Sequence, residues 1–126
     1  MEDYYNSVGH GGVFMLNVNP DRRGLVPEAD LKRYEEFGAE IKRRFGKSLA
    51  QTSGQGNLFE ITLDKPTTIN QVITMEDITQ GERVREYVIE GLIDDTWQKI
   101  AEGTAIGHKK IDKFHPVVIS KIRLRI

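Results

Sequence analysis

The sequence contains no cysteine. That excludes disulfides, thiolate metal sites and cysteine nucleophiles, and it leaves the redox compartment open. Histidine is scarce: His10, His108 and His115 are the only three, and they share no short ligand spacing, so they are a poor metal signal. Without a nearby Ser/Asp arrangement they are an equally poor catalytic signal, and solvated loop histidines fit them better. Charge of one sign is also lacking, with 18 Lys and Arg against 19 Asp and Glu. A net charge of −1 lacks the positive field that draws proteins onto nucleic acid or anionic membrane, so neither partner is expected. No apolar run approaches the ~20 residues that span a bilayer. The opening Met1-Glu2-Asp3-Tyr4-Tyr5 is acidic and polar, and no export signal is expected from it. At 126 residues the chain is too short for a (β/α)₈ barrel of about 250.

What is present divides into two parts, residues 1–50 and 51–126, joined at the polar, glycine-rich stretch Gln51-Thr52-Ser53-Gly54-Gln55-Gly56. In the first part Val13-Phe14-Met15-Leu16-Asn17-Val18 is a nearly continuous apolar run, which predicts a strand buried on both faces. A turn over Asn19–Gly24 follows. A helix is predicted from about Pro27 to Phe45, with Pro27 in the first turn, acids Glu28 and Asp30 at the positive end of the dipole, and Lys42, Arg43 and Arg44 in the last turn. Leu31, Tyr34, Phe37, Ile41 and Phe45 give it one apolar face, available to pack onto the second part, and Gly46 suits a left-handed cap. In the second part Leu58–Asp64, Val84–Gly91 and Lys121–Ile126 alternate apolar and polar residues with the period of strands. Turn signals at Asp64-Lys65-Pro66, Gln80-Gly81-Glu82, Asp94-Asp95 and Glu102-Gly103 recur at even intervals, as in an antiparallel sandwich. The fold class expected is α+β: one β/α unit, then a partial antiparallel β-sandwich of discoidin or jelly-roll type.

Two stretches carry a family resemblance. Ser7-Val8-Gly9-His10-Gly11-Gly12-Val13-Phe14-Met15-Leu16-Asn17-Val18-Asn19-Pro20-Asp21 resembles the last barrel strand of the α-L-fucosidases of glycoside hydrolase family 29, and Pro27-Glu28-Ala29-Asp30-Leu31 resembles the start of their final barrel helix. Phe59 to Ile126 resembles the discoidin-like C-terminal sandwich of bacterial and plant members, through Lys65-Pro66-Thr67-Thr68, Trp97-Gln98-Lys99-Ile100-Ala101-Glu102-Gly103 and Ile122-Arg123-Leu124-Arg125-Ile126. The resemblance implies residues 1–50 as the end of a barrel and 51–126 as an incomplete sandwich. It also implies an internal deletion, because the family carries about a further pair of strands between Leu49-Ala50 and Phe59. Most of the barrel is absent, and with it the nucleophile and the acid/base, so no catalytic residue is assigned and the chain is expected to be inactive alone. A retaining glycosidase needs two carboxyl groups about 5–5.5 Å apart. The family implies no metal and no organic cofactor, a fucosylated glycan as ligand of the complete enzyme, and a secreted or periplasmic setting in bacterial relatives. Missing strands imply an open edge, hence self-association or a complementing chain.

Two residues are singled out as ligand contacts. Asn17 is the polar residue near the end of the predicted buried strand, where a barrel's active site lies; the competing role is a locally bonded structural amide, which is favoured. Trp97, the sole tryptophan, offers an indole face to a sugar, or else packs on its own sheet, again the favoured role. A carbohydrate-binding or purely structural module is the alternative to the fucosidase reading.

Overall fold

The computed structural model describes all 126 residues. Two helices, α1 (Glu2–Ser7) and α2 (Glu28–Phe45), precede four strands: β1 (Leu58–Thr74), β2 (Tyr87–Ile93), β3 (Thr96–Gly103) and β4 (Lys110–Arg125). The strands form one antiparallel sheet in the order β1-β4-β2-β3. The architecture is α+β, with the sheet standing as one layer of a sandwich.

The predicted turn at Asp64-Lys65-Pro66 does not reverse the chain. These residues lie within β1, at a register shift between Thr62↔Lys121 and Thr67↔Ile119. Proline has no N–H to give the ladder, so here it marks a bulge in a continuing strand rather than a strand end. The Asp94-Asp95 turn does form. Ile93 pairs with Thr96, and the two aspartates have φ of 48° and 60°, the left-handed pair of a two-residue hairpin.

Val13–Val18 forms no strand. It makes no backbone–backbone hydrogen bond, and Val13 and Met15 are 86% and 80% exposed. The residue pattern is that of an interior strand, but strand geometry is held by neighbours, and these 126 residues supply none. Helix α2 matches its predicted span within a residue. Its apolar face meets α1 and Phe14 rather than the sheet: Phe37 and Phe45 ring centroids lie 6.3 and 5.4 Å from that of Tyr4, and Phe14 lies 5.6 Å from Phe37. No residue of α2 is buried, and Leu31 remains exposed. Gly46 is right-handed (φ −70°), not left-handed as expected, and donates to Lys42 O at 2.8 Å.

Only 11 of 126 residues are buried, so the core is small. Its centre is Val84, Tyr87, Ile89 and Ile106, with Ile122 and Leu124 packed against it. Gly103 opposes Tyr87 across β2 and β3; a Cβ there would sit 2.7 Å from the Tyr87 ring, so only glycine lets the ring lie over the strand. Tyr87 Oη donates to Asp112 Oδ2 at 2.7 Å, and burial together with this bond pushes its phenol well above its ordinary range.

Candidate functional site

Strand register sorts the side chains onto two faces, because residues directly opposite one another point the same way. One face carries the rows Phe59–Leu124–Ile89–Ala101 and Ile61–Ile122–Gly91–Gln98. This apolar face looks into a cleft of about 1460 Å³, whose far wall is residues 47–56. The other face carries Glu60–Arg123–Glu90–Lys99 and Thr62–Lys121–Leu92–Trp97.

Trp97 therefore belongs to the charged face, not the cleft. It is half-buried, and the Arg123 guanidinium lies 4.1 Å from its ring centroid. Arg123 Nε donates to Glu90 Oε2 at 2.6 Å, and Arg125 Nε donates to the same oxygen at 2.9 Å. The Arg123 bond above all, with Arg125 behind it, holds the Glu90 carboxyl below the usual carboxylate range. A cation seated on the indole occupies the surface a sugar would use, which fits the packing role. Asn17 is exposed rather than buried, since the strand expected to bury it does not form. Its carbonyl accepts from Tyr34 Oη at 2.5 Å, tying the 13–18 segment to α2. Asn17 and Trp97 thus sit on separate elements with different surroundings, and the structure does not bring them into one site.

The histidines are spread apart. His108 and His115 are exposed, and His10 is exposed with its ring held between Tyr5 O (Nδ1, 3.1 Å) and Lys110 Nζ (Nε2, 2.9 Å). His10 also bridges to Lys110 through the backbone, while Ile111 N donates to Gly9 O at 3.0 Å. Together with Tyr5 Oη donating to Gln71 Oε1 at 3.0 Å, these contacts fasten the helical part to the sheet. No helix is long and apolar enough to cross a membrane.

One carboxylate escaped the sequence reading. Glu76 accepts backbone N–H bonds from Arg83 (2.5 Å), Val84 (3.1 Å) and Gly107 (3.3 Å) and so staples two loops at the sheet's end. The Arg83 N–H, and then those of Val84 and Gly107, hold its carboxyl below the usual range. Its three donors are scattered over residues 83–107, so no local spacing signals the role.

The fold and its faces define a class first: a helical element attached to one antiparallel layer of a partial β-sandwich. No protein-family profile matches the chain. Its relatives are more specific. It is 27% identical to α-L-fucosidase 1 of Arabidopsis thaliana over 157 residues, covering 96% of this chain and 31% of that enzyme. It superposes with a TM-score of 0.96, at 39% identity, on a crystal structure provisionally named an α-L-fucosidase of Bacteroides thetaiotaomicron, covering 99% of this chain and 29% of that one. A Ruminococcus gnavus family 29 fucosidase, solved in complex with fucose, matches at 29% identity and a TM-score of 0.85 over 98% of this chain and 32% of its own. The chain is similar to a part of these α-L-fucosidases, and it spans about a third or less of the length of the proteins it matches. The Arabidopsis alignment is also longer than this entire chain, so the relative carries residues opposite gaps here.

Proposed function

We propose that this chain is the non-catalytic C-terminal portion of a retaining exo-α-L-fucosidase, which releases terminal L-fucose from glycans. Residues 1–50 would supply the end of the catalytic barrel and residues 51–126 an incomplete accessory sandwich. The observation that carries the reading is the match of both parts, in one order, to single fucosidase chains over 98–99% of this sequence. The unpaired Val13–Val18 segment supports it: a run patterned for burial on both faces, yet exposed, belongs in a larger sheet. In the complete enzyme the glycan is held and cleaved by groups outside these residues. With so little buried, the chain is expected to self-associate or to bind complementing polypeptide.

The test is a graft. This chain replaces the matched third of the Ruminococcus gnavus fucosidase, and hydrolysis of a chromogenic α-L-fucoside is measured for the graft and for the chain alone. The graft is expected to stay within about tenfold of its parent, a loss of about 1.4 kcal/mol in transition-state stabilisation, and the chain alone to show no turnover. Turnover by the chain alone would overturn the non-catalytic role; a folded but inactive graft would overturn its place in the enzyme. The alternative of an autonomous carbohydrate-binding module is weakened by the guanidinium lying over Trp97, and a flat calorimetric titration with fucosylated oligosaccharides is expected.

A further inference from the structure

We propose that the Lys110–Lys113 end of β4 is a docking site for a polypeptide segment, Glu2–His10, and that this seam holds the helical part on the sheet without help from the connecting chain. The two parts would then stay together even when the chain between them is cut. Three observations carry this, all of them contacts within the chain.

The first is an open flank. β4 pairs with β1 from Lys110 to Arg125, but β2 covers its other side only over Lys121–Arg125. At Lys110 and Ile111 that other side is taken by Gly9 and His10. The His10↔Lys110 bridge is antiparallel, and Ile111 N donates to Gly9 O at 3.0 Å. This is strand addition reduced to a single bridge. A Cβ on Gly9 would press on Ile111 Cβ at 3.3 Å and run into Tyr5 O, so the close approach requires glycine.

The second is the match of side chains. Helix α1 brings Glu2 and Asp3 and no basic residue, and β4 meets it with a lysine. Lys113 Nζ lies 3.1 Å from Glu2 Oε2 and 4.2 Å from the Tyr5 ring centroid. Gln71, which pairs with Lys113 across β1 and β4, accepts from Tyr5 Oη at 3.0 Å, and its Nε2 donates to Arg44 O at 3.3 Å. One amide thus reads both helices. The Glu2 pair is exposed and contributes little alone. Tyr5 is the anchor: at 6% exposure it is the one buried residue of the two helices.

The third is the connection itself. Residues 47–56 are exposed throughout and make no backbone–backbone hydrogen bond. Ser48 Oγ donates to Ala50 O, which lies in the same segment. Gly54 comes near Phe59, but nothing in the connection bonds to the β4 end where the helical part sits.

The experiment uses the whole chain, with a protease site in place of Gln51–Gln55 so that the folded protein can be cut between its parts. The cut pieces are expected to co-elute on gel filtration at about 10 μM. The Ile111 amide, whose acceptor is Gly9 O, is expected to keep its hydrogen-exchange protection after cutting. Asp112, paired with Val72 of β1, reports whether the sheet itself is intact. Gly9→Val and Tyr5→Ala are each expected to weaken association of the cut pieces at least tenfold and to expose the Ile111 amide while Asp112 stays protected. The Ile111 readout needs no substitution, so a variant that fails to fold does not remove the test. Pieces that separate on cutting, an Ile111 amide that exchanges freely beside a protected Asp112, or association indifferent to folded Gly9→Val and Tyr5→Ala would overturn the proposal. None of these readings involves fucoside turnover in the graft, so the two proposals fail separately.

Discussion

At the residue scale, a few carboxylates with unusually good partners hold the fold together. Glu76 gathers three N–H groups, and hydrogen bonds to a charged acceptor are stronger than neutral ones. Glu76→Ala is expected to lower stability by about 1–2 kcal/mol and to speed amide exchange at Arg83, Val84 and Gly107, read by hydrogen exchange and thermal melting. Glu90 and Glu40 set the pH response. Arg43 and then Arg44 bring Glu40 down to about 2, while Arg123 and then Arg125 lower Glu90. Both are acids whose folded pKa is depressed. Their stabilisation is therefore complete above the ordinary carboxylate range near pH 4.5 and is lost as pH falls through their folded values, toward pH 2 for Glu40. Melting temperature is expected to fall from pH 5 to about 2, and Glu90→Gln to flatten part of that fall. Of the two residues picked as ligand contacts, Trp97 takes its face from the pairing of β3 with β2, which no pattern in its own segment announces. Asn17 was read as buried and is exposed, because the Val13–Val18 run finds no strand to pair with.

At the element scale, legibility tracked how local the determinants are. Helix α2 was readable because dipole and periodicity act within a few turns, whereas the left-handed cap expected at Gly46 did not form. The Asp94-Asp95 hairpin was readable because its turn is two residues long. Both aspartates stand at positive φ, where a Cβ is strained. Asp95→Gly is accordingly expected to raise stability by about 0.5–1 kcal/mol, measured by urea unfolding, without changing the sheet. The Asp64-Lys65-Pro66 signal misled, since a proline that ends one strand elsewhere here sits in a bulge that β4 accommodates. The Val13–Val18 run has a strand's composition but no strand, because pairing is a property of neighbours rather than of residues. Met15→Lys is expected to change the chain's own stability by no more than about 0.5 kcal/mol, as for any exposed site, and to abolish folding of the graft in which this segment joins a sheet.

At the scale of the whole molecule, the fold class was legible and the burial was not. Alternating strands announced a sheet with one wet face, and the sheet is there. What the pattern left unsaid is that the dry face meets only the 47–56 segment across its cleft, and no second sheet. The small core gathers Val84, Tyr87, Ile89 and Ile106, with Val72, Ile100, Ala101, Ile122 and Leu124 only partly buried against it. Self-association, proposed above on the small buried core, would make stability depend on protein concentration; the melting temperature is then expected to rise between about 1 and 100 μM, checked by scanning calorimetry or fluorescence melting.

The pairing of β1 with β4 has a further effect, on the order in which the chain takes shape. Leu58 pairs with Arg125, and Thr74 with Lys110, so the first strand of the sheet must wait for the last. The β2–β3 hairpin closes over two residues and needs nothing else. During synthesis, β1 leaves the ribosome long before its partner exists, with Phe59, Ile61 and Leu63 unprotected throughout. The kinked, proline-bearing middle of β1 then does its most useful work before the protein is folded at all, by denying passing chains a straight strand to join.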